Sequence, residues 1–169
     1  MRILIVAATE QEIKPFLEKF QFQQLSQNNS IELKSHTIDV LISGIGLMHT
    51  AFSLGKIFSE EKFDFAIQAG IAGSFDKNIS LGEIVIVKKE NVSDLGAEDG
   101  KDYLDVFKLG LQKRNDFPYK NGLLINSKII LSKTLRGKKR VSAISVNTVH
   151  GRRSSIKEIT VSKRNKNHS

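Results

Sequence analysis

Three short turns in the first half of the chain carry residue types that bind or activate small polar ligands. Thr9-Glu10-Gln11-Glu12 is rich in carboxylates, while Ser43-Gly44-Ile45-Gly46 and Gly70-Ile71-Ala72-Gly73 are glycine turns. Each follows a short apolar run: Arg2 to Ala8, Ile38 to Ile42 and Phe63 to Ala69. Runs of this length suit buried strands of an α/β sheet. Turns at the carboxyl ends of neighbouring strands are where such sheets bind small ligands. Glycines there let backbone N–H groups approach a ligand, and a carboxylate there can take a proton from water. Each turn also has a plainer account. The glycine turns suit any strand-to-helix or strand-to-loop connection, and Thr9-x-x-Glu12 is a capping box that closes a helix N-terminus. From spacing alone, the cap is the stronger reading of Glu12.

The elements that must position these turns follow from hydrophobic periodicity. Arg2 to Ala8 reads as the first strand. Glu10 to Phe20 reads as a helix with Ile13, Phe16, Leu17 and Phe20 on its inner face, and Pro15 predicts a late start or a bend. Ile31 to Leu33 and His36 to Ile42 suit a hairpin after a polar loop, and Leu47 to Phe58 repeats apolar residues at helical spacing. Phe63 to Ala69 and Glu83 to Val87 read as further strands. Asp102 to Leu111 has a helical look, Leu123 to Ile125 and Val141 to Val146 read as extended, and Arg152 to Ile159 as the start of a helix. No internal repeat and no dividing linker is evident.

A chain of 169 residues fits one domain with a sizeable core, and 40% hydrophobic residues argue against disorder. Without cysteine, disulfides and thiolate-bound metal are excluded, as suits a reducing compartment. No stretch is long enough to span a bilayer, and Ile3 to Ala8 is too short for a signal segment, so a cytoplasmic protein without a membrane partner is expected. The net charge of +8 is unevenly spread. Residues 1 to 132 carry 15 basic and 17 acidic side chains, whereas residues 133 to 169 carry 11 basic side chains and Glu158 alone as an acid. Lys138-Lys139-Arg140 and Arg152-Arg153 would suit a nucleic-acid contact. No aromatic residues are interleaved with them for base stacking, so a solvated charge run is favoured over a nucleic-acid partner.

Taken together and in this order, the acidic turn and the two glycine turns resemble the nucleoside phosphorylase and nucleosidase superfamily, in particular its hydrolytic branch. Asp94-Leu95-Gly96-Ala97-Glu98-Asp99-Gly100 and Asn147-Thr148-Val149-His150-Gly151 are similar to the futalosine hydrolases, which serve a menaquinone biosynthetic route. The resemblance runs from Met1 to about Ile156. It implies a three-layer α/β/α fold around a mixed, twisted central sheet, incomplete at its C-terminal side. The activity it implies is hydrolysis of the N-glycosidic bond of futalosine to hypoxanthine and dehypoxanthine futalosine, without a cofactor. A methylthioadenosine or S-adenosylhomocysteine nucleosidase is the alternative within the class, and a non-catalytic nucleoside-binding protein the alternative outside it. Its partners would be a small purine nucleoside and, as in the superfamily, further copies of itself.

The resemblance also assigns roles. It makes Glu12 the base that activates water, reversing the preference for a cap, and leaves Glu10 as a helix-start residue favoured by the helix dipole. Ser43, Gly44, Ile45 and Gly46 would approach the ribose or the attacking water, with Met48 a packing residue near the sugar. Ala72 and Gly73, with Gly70, Ile71, Ser74 and Phe75, would wall the base pocket. Asn147 or Thr148 would hydrogen-bond the 6-oxo edge of hypoxanthine, and His150 is read as a loop residue. Phosphate as nucleophile is disfavoured, because the loop after the first strand offers Glu10 and Glu12 and no arginine. The histidines, His36, His49, His150 and His168, lack metal-site spacing. Asp94, Glu98, Asp99 and Asp102 lack the alternating pattern of a calcium loop, and a solvated or subunit-interface acidic loop is expected.

The superfamily continues past the equivalent of Ile156 with a strand whose glutamate holds the ribose hydroxyls and another whose aspartate protonates the purine. Here Glu158 is followed by Ile-Thr-Val-Ser-Lys-Arg-Asn-Lys-Asn-His-Ser. The expectation is therefore an incomplete domain over residues 1–159, a basic tail at 160–169, and impaired hydrolysis.

Overall fold

The computed structural model describes residues 1–22, 30–100, 102–127, 135–149 and 151–152. They form two compact units, Met1–Gly73 and the described residues from Ser74 onward.

The first unit is built on β1 (Arg2–Ala7), whose six residues are apolar after the initial arginine. It pairs in parallel with β3 (His36–Ile42) on one side, with Ile5 opposite Val40, and with β4 (Phe65–Gln68) on the other, with Ile5 opposite Ile67. The short β2 (Ser30–Leu33) adds antiparallel to β3, completing the order β2-β3-β1-β4. Side chains alternate across a strand. Both sets on β1 are buried: Leu4 is fully inaccessible and Val6 nearly so, while Ala7 joins Val40, Ile13 and Leu17 in the core on the other face. A strand buried on both faces explains why the run lacks polar alternation.

The helix α1 (Glu10–Lys19) places Ile13 and Leu17, four apart, in that core and stacks Phe16 against Phe20 and Phe22. Of the late start or bend expected from Pro15, the late start is not found: the helix begins at Glu10 with Pro15 inside it. The Thr9 and Glu12 cap secures the first turn. The helix ends with Gln21 N–H on the Glu18 carbonyl (3.2 Å) and Phe22 N–H on the Leu17 carbonyl (3.0 Å). That is a Schellman ending, and Gln21 occupies its left-handed position at φ +53°. Glycine has no Cβ to strain there, so Gln21→Gly is expected to raise stability by about 0.5–1 kcal/mol, read from urea unfolding. The second helix, α2 (Leu47–Glu60), follows β3 and starts from Gly46. None of its residues is fully buried, and Met48, expected to pack, is 78% exposed because it lies on the outer side of the first turn.

In the second unit, β5 (Val85–Val92) pairs in parallel with β9 (Lys139–Ser145) and antiparallel with the two-residue β8 (Leu124–Ile125). The strands β6 (Gly96–Asp99) and β7 (Asp102–Asp105) form a separate hairpin. This corrects the helix expected over Asp102 to Leu111: strand and turns are found instead. Gly100, at φ +62° between the paired Asp99 and Asp102, supplies a hairpin turn that outweighs the helical spacing after it. Lys139 Nζ lies 3.0 Å from Asp76, so part of the basic run is spent on an ion pair. The Asn78 N–H, with Lys139, holds the exposed Asp76 carboxyl below the usual range. The architecture is mixed α/β with mixed sheets, as expected. The described strands are shared among three sheets, and the described helices belong to the first unit. Beyond Arg152, the helix expected from Arg152 to Ile159 and the tail at 160–169 fall outside the described residues. No described helix is long and apolar enough to cross a membrane.

Candidate functional site

The first unit gathers its candidate residues at the carboxyl ends of three parallel strands. Two hydrogen bonds extend the ladders beyond the strands, Ser43 N–H to the Ala7 carbonyl and Ala69 N–H to the Val6 carbonyl, both 2.9 Å. They hold the turn after β3 and the turn after β4 on either side of the chain leaving β1.

Glu12 stands between them. One carboxylate oxygen accepts from Ala8 N–H (3.0 Å) and from Thr9 N–H (3.2 Å). The second of these bonds is the glutamate half of the capping box, so the structural account of Glu12 holds. The same carboxylate lies against Gly70: a Cβ there would fall 3.3–3.4 Å from both carboxylate oxygens and the carboxyl carbon. The group is half-buried, fixed by two amides and pressed on a bare backbone, which is how a proton acceptor is held still. Glu10 is exposed at the helix start and makes no such contact. Lys14, the nearest basic residue in sequence, pairs along the helix with Glu18 at 3.6 Å.

Gly70, expected as a plain turn or in the wall of the base pocket, lies against the Glu12 carboxylate. Gly70→Ala forces the Glu12 carboxylate to give by a few tenths of an ångström. The expected result is a roughly tenfold or larger fall in kcat, since ångström-scale misplacement is costly, with thermal stability nearly unchanged. Steady-state hydrolysis alongside thermal unfolding checks it.

The turn after β3 is braced from within. Ser43 is buried, and its hydroxyl lies 3.2 Å from the Thr50 hydroxyl. Ser53 donates to the Ser43 carbonyl at 3.1 Å. The hydroxyl expected to face a ribose is thus spent on tying α2 to the strand end, because the ladder bond to Ala7 turns Ser43 inward. Gly44 and Gly46 follow at φ +84° and +93°, conformations that require glycine. Ile45 is 74% exposed, and Ala72 and Gly73 are exposed in the loop after β4.

Asn147 and Thr148 belong to the second unit, exposed beyond the carboxyl end of β9. Asn147 N–H donates to the Asp94 carboxylate at the matching end of β5, and Ser93 N–H donates to the Ser145 carbonyl (3.0 Å). Sequence reasoning took Asp94 for a loop charge, whereas it ties the two strand ends together. Burial, with the negative charges of Asp94 and Asp105, raises the Tyr103 phenol above its usual range. Among the described residues no group of three or more acidic or histidine side chains forms a metal site. His150 and His168 fall outside the described residues.

The fold is like that of solved nucleosidases of the nucleoside phosphorylase and nucleosidase superfamily. The chain superposes on the S. pneumoniae 5'-methylthioadenosine/S-adenosylhomocysteine nucleosidase, solved with a transition-state inhibitor, with a TM-score of 0.69 and 21% identity, covering 95% of this chain and 71% of that one. It superposes on a futalosine hydrolase mutant of Helicobacter pylori with a TM-score of 0.67 and 18% identity, covering 96% and 75%.

The chain is a homologue of nucleosidases in this superfamily. It is 33% identical over 123 residues to the futalosine hydrolase of Thermus thermophilus, covering 71% of this chain and 53% of that protein. It is 26% identical over 155 residues to the 5'-methylthioadenosine/S-adenosylhomocysteine nucleosidase of Buchnera aphidicola, covering 79% and 66%. The chain thus spans about half the length of the first and two thirds of the second. No family model matches the sequence.

Proposed function

We propose that the chain is a purine nucleosidase in which Glu12 activates the attacking water, and that futalosine is its substrate. The observation that carries this is the Glu12 carboxylate, held by Ala8 and Thr9 N–H groups against Gly70 at the carboxyl ends of parallel strands. In the reaction the C1′–N bond of the nucleoside breaks, and its electron pair leaves with the purine, which takes up a proton from solvent water. Water oxygen bonds to C1′, and its proton passes to Glu12, which returns it to solvent. The turn at Gly44 to Gly46 lines the sugar with Met48 beside it, and Ala72 and Gly73 flank the base. Ser43 serves as the brace behind the sugar turn. A free phosphate is a poor nucleophile here, because the loop after β1 presents Glu10 and Glu12 without a cation.

The 33% identity to the Thermus thermophilus futalosine hydrolase favours futalosine. The second reading, 5'-methylthioadenosine or S-adenosylhomocysteine, is favoured by the longer match to the Buchnera aphidicola nucleosidase. Chromatography of released base separates them. Hypoxanthine from futalosine, independent of added phosphate and with no adenine from 5'-methylthioadenosine, is the expected result. Adenine release instead would establish the second reading. Binding of either nucleoside without release would make the chain a nucleoside-binding protein.

A further inference from the structure

His49 lies three residues into α2 and belongs to none of the roles assigned above. Its ring sits over Gly44: a Cβ at Gly44 would lie 3.2 Å from His49 Cβ and 3.5 Å from its Cγ. Its Nδ1 is 3.0 Å from the Ile45 carbonyl oxygen, four residues back. A carbonyl can only accept, so Nδ1 carries the hydrogen, and in the neutral ring Nε2 is left as the acceptor. The helix's own bonds begin one residue later, with Thr50 N–H on the Gly46 carbonyl (3.1 Å). The His49 side chain thus gives a hydrogen-bond partner to the Ile45 carbonyl, which lies just before the helix.

That bond fixes a peptide plane. The Ile45–Gly46 bond is trans, so its N–H points opposite to its carbonyl, away from His49. Gly46, which has no Cβ, restricts the turning of that plane less than any other residue would.

We propose that His49 is a positioning residue whose Nδ1–H holds the Ile45 carbonyl, so that the Gly46 N–H faces the sugar hydroxyls of a bound nucleoside. The proposal rests on the nucleosidase reading for its ligand, but the orientation of the peptide stands by itself.

Two measurements on the full chain test it. Nitrogen-15 shifts of the His49 ring, recorded without ligand at a pH where the ring is neutral, are expected to show the Nδ1–H tautomer. Calorimetric binding of futalosine is then compared among the wild type, His49→Phe and His49→Asn, because the Asn amide nitrogen falls where ring Nδ1 lies. Phenylalanine is expected to weaken binding about tenfold, the order of one lost hydrogen bond, and asparagine to restore it to within about twofold. An Nε2–H tautomer overturns the proposal. So does a His49→Phe chain that is folded by circular dichroism and binds as the wild type does. Should the wild type show the Nδ1–H tautomer yet bind neither futalosine nor 5'-methylthioadenosine, the ligand half falls together with the nucleosidase reading. Wild-type binding unaffected by either substitution defeats the role of His49 alone.

Discussion

Glu12→Gln is expected to lower hydrolysis by roughly 10²- to 10⁴-fold, the usual worth of a general base, while leaving the fold in place. Glutamine is the discriminating choice because Glu12 has two roles. Its carboxylate accepts from Ala8 and Thr9 N–H groups, and the amide oxygen of glutamine can do the same. What glutamine cannot do is take a proton from water. The cap is retained, and the loss of one negative charge at a helix N-terminus costs only about 0.3–1 kcal/mol. Glu12→Ala removes both roles and should lose about 1 kcal/mol more through the cap. Rates and urea midpoints for both variants separate chemistry from structure. If Glu12→Gln keeps the wild-type rate, Glu12 is a capping residue and the base lies elsewhere. If it loses stability as Glu12→Ala does, the amide oxygen does not replace the carboxylate in the cap.

How far this site was legible in the sequence depends on the range over which each feature is determined. The strands and the turns after them were legible, because a six-residue apolar run ended by glycine or by Thr-x-x-Glu is a local signal. The double use of Glu12 was legible only as a choice between two readings, and the geometry shows the cap and the poised carboxylate to be compatible. The inward turn of Ser43 was not legible. It depends on the ladder bond to Ala7, 36 positions earlier, and on Thr50 lying one helical turn beyond Gly46. The contact of Gly70 with Glu12 joins residues 58 apart, and nothing in either local pattern announces it. The helix expected over Asp102 to Leu111 is absent for a local reason: Gly100, at φ +62°, turns the chain back so that Asp102 pairs with Asp99.

Arg2 is the other feature that spacing did not reveal, and its removal should have the largest effect on stability. The guanidinium makes two bonds to Asp39 (2.9 and 3.0 Å) and one to Glu61, and lies 4.8 Å from the Phe63 ring centre. Asp39, only 7% exposed, also accepts from the Ser30 hydroxyl at 2.5 Å. Burial alone would push the Asp39 carboxyl up; the bonds from Arg2 and Ser30, with the charge of Arg2, outweigh it and hold the carboxyl below its ordinary value of 3.8. Removing one partner of a buried pair costs about 3–5 kcal/mol. The Arg2 side chain is 35% exposed, so solvent screening brings the expectation for Arg2→Ala down to about 2–3 kcal/mol. The double variant Arg2→Ala with Asp39→Asn should lose less than the sum of the single losses, because no unpaired carboxylate is then left buried. The sign of the pH dependence follows from the depressed folded value. Between the unfolded and folded pKa values the unfolded chain binds more protons, so stability is fully present above about pH 4 and is lost as pH falls through the folded value. Urea unfolding between pH 7 and pH 3 should show this loss in the wild type and a flatter profile in Asp39→Asn. An equally steep profile in Asp39→Asn would assign the acid sensitivity to other carboxylates.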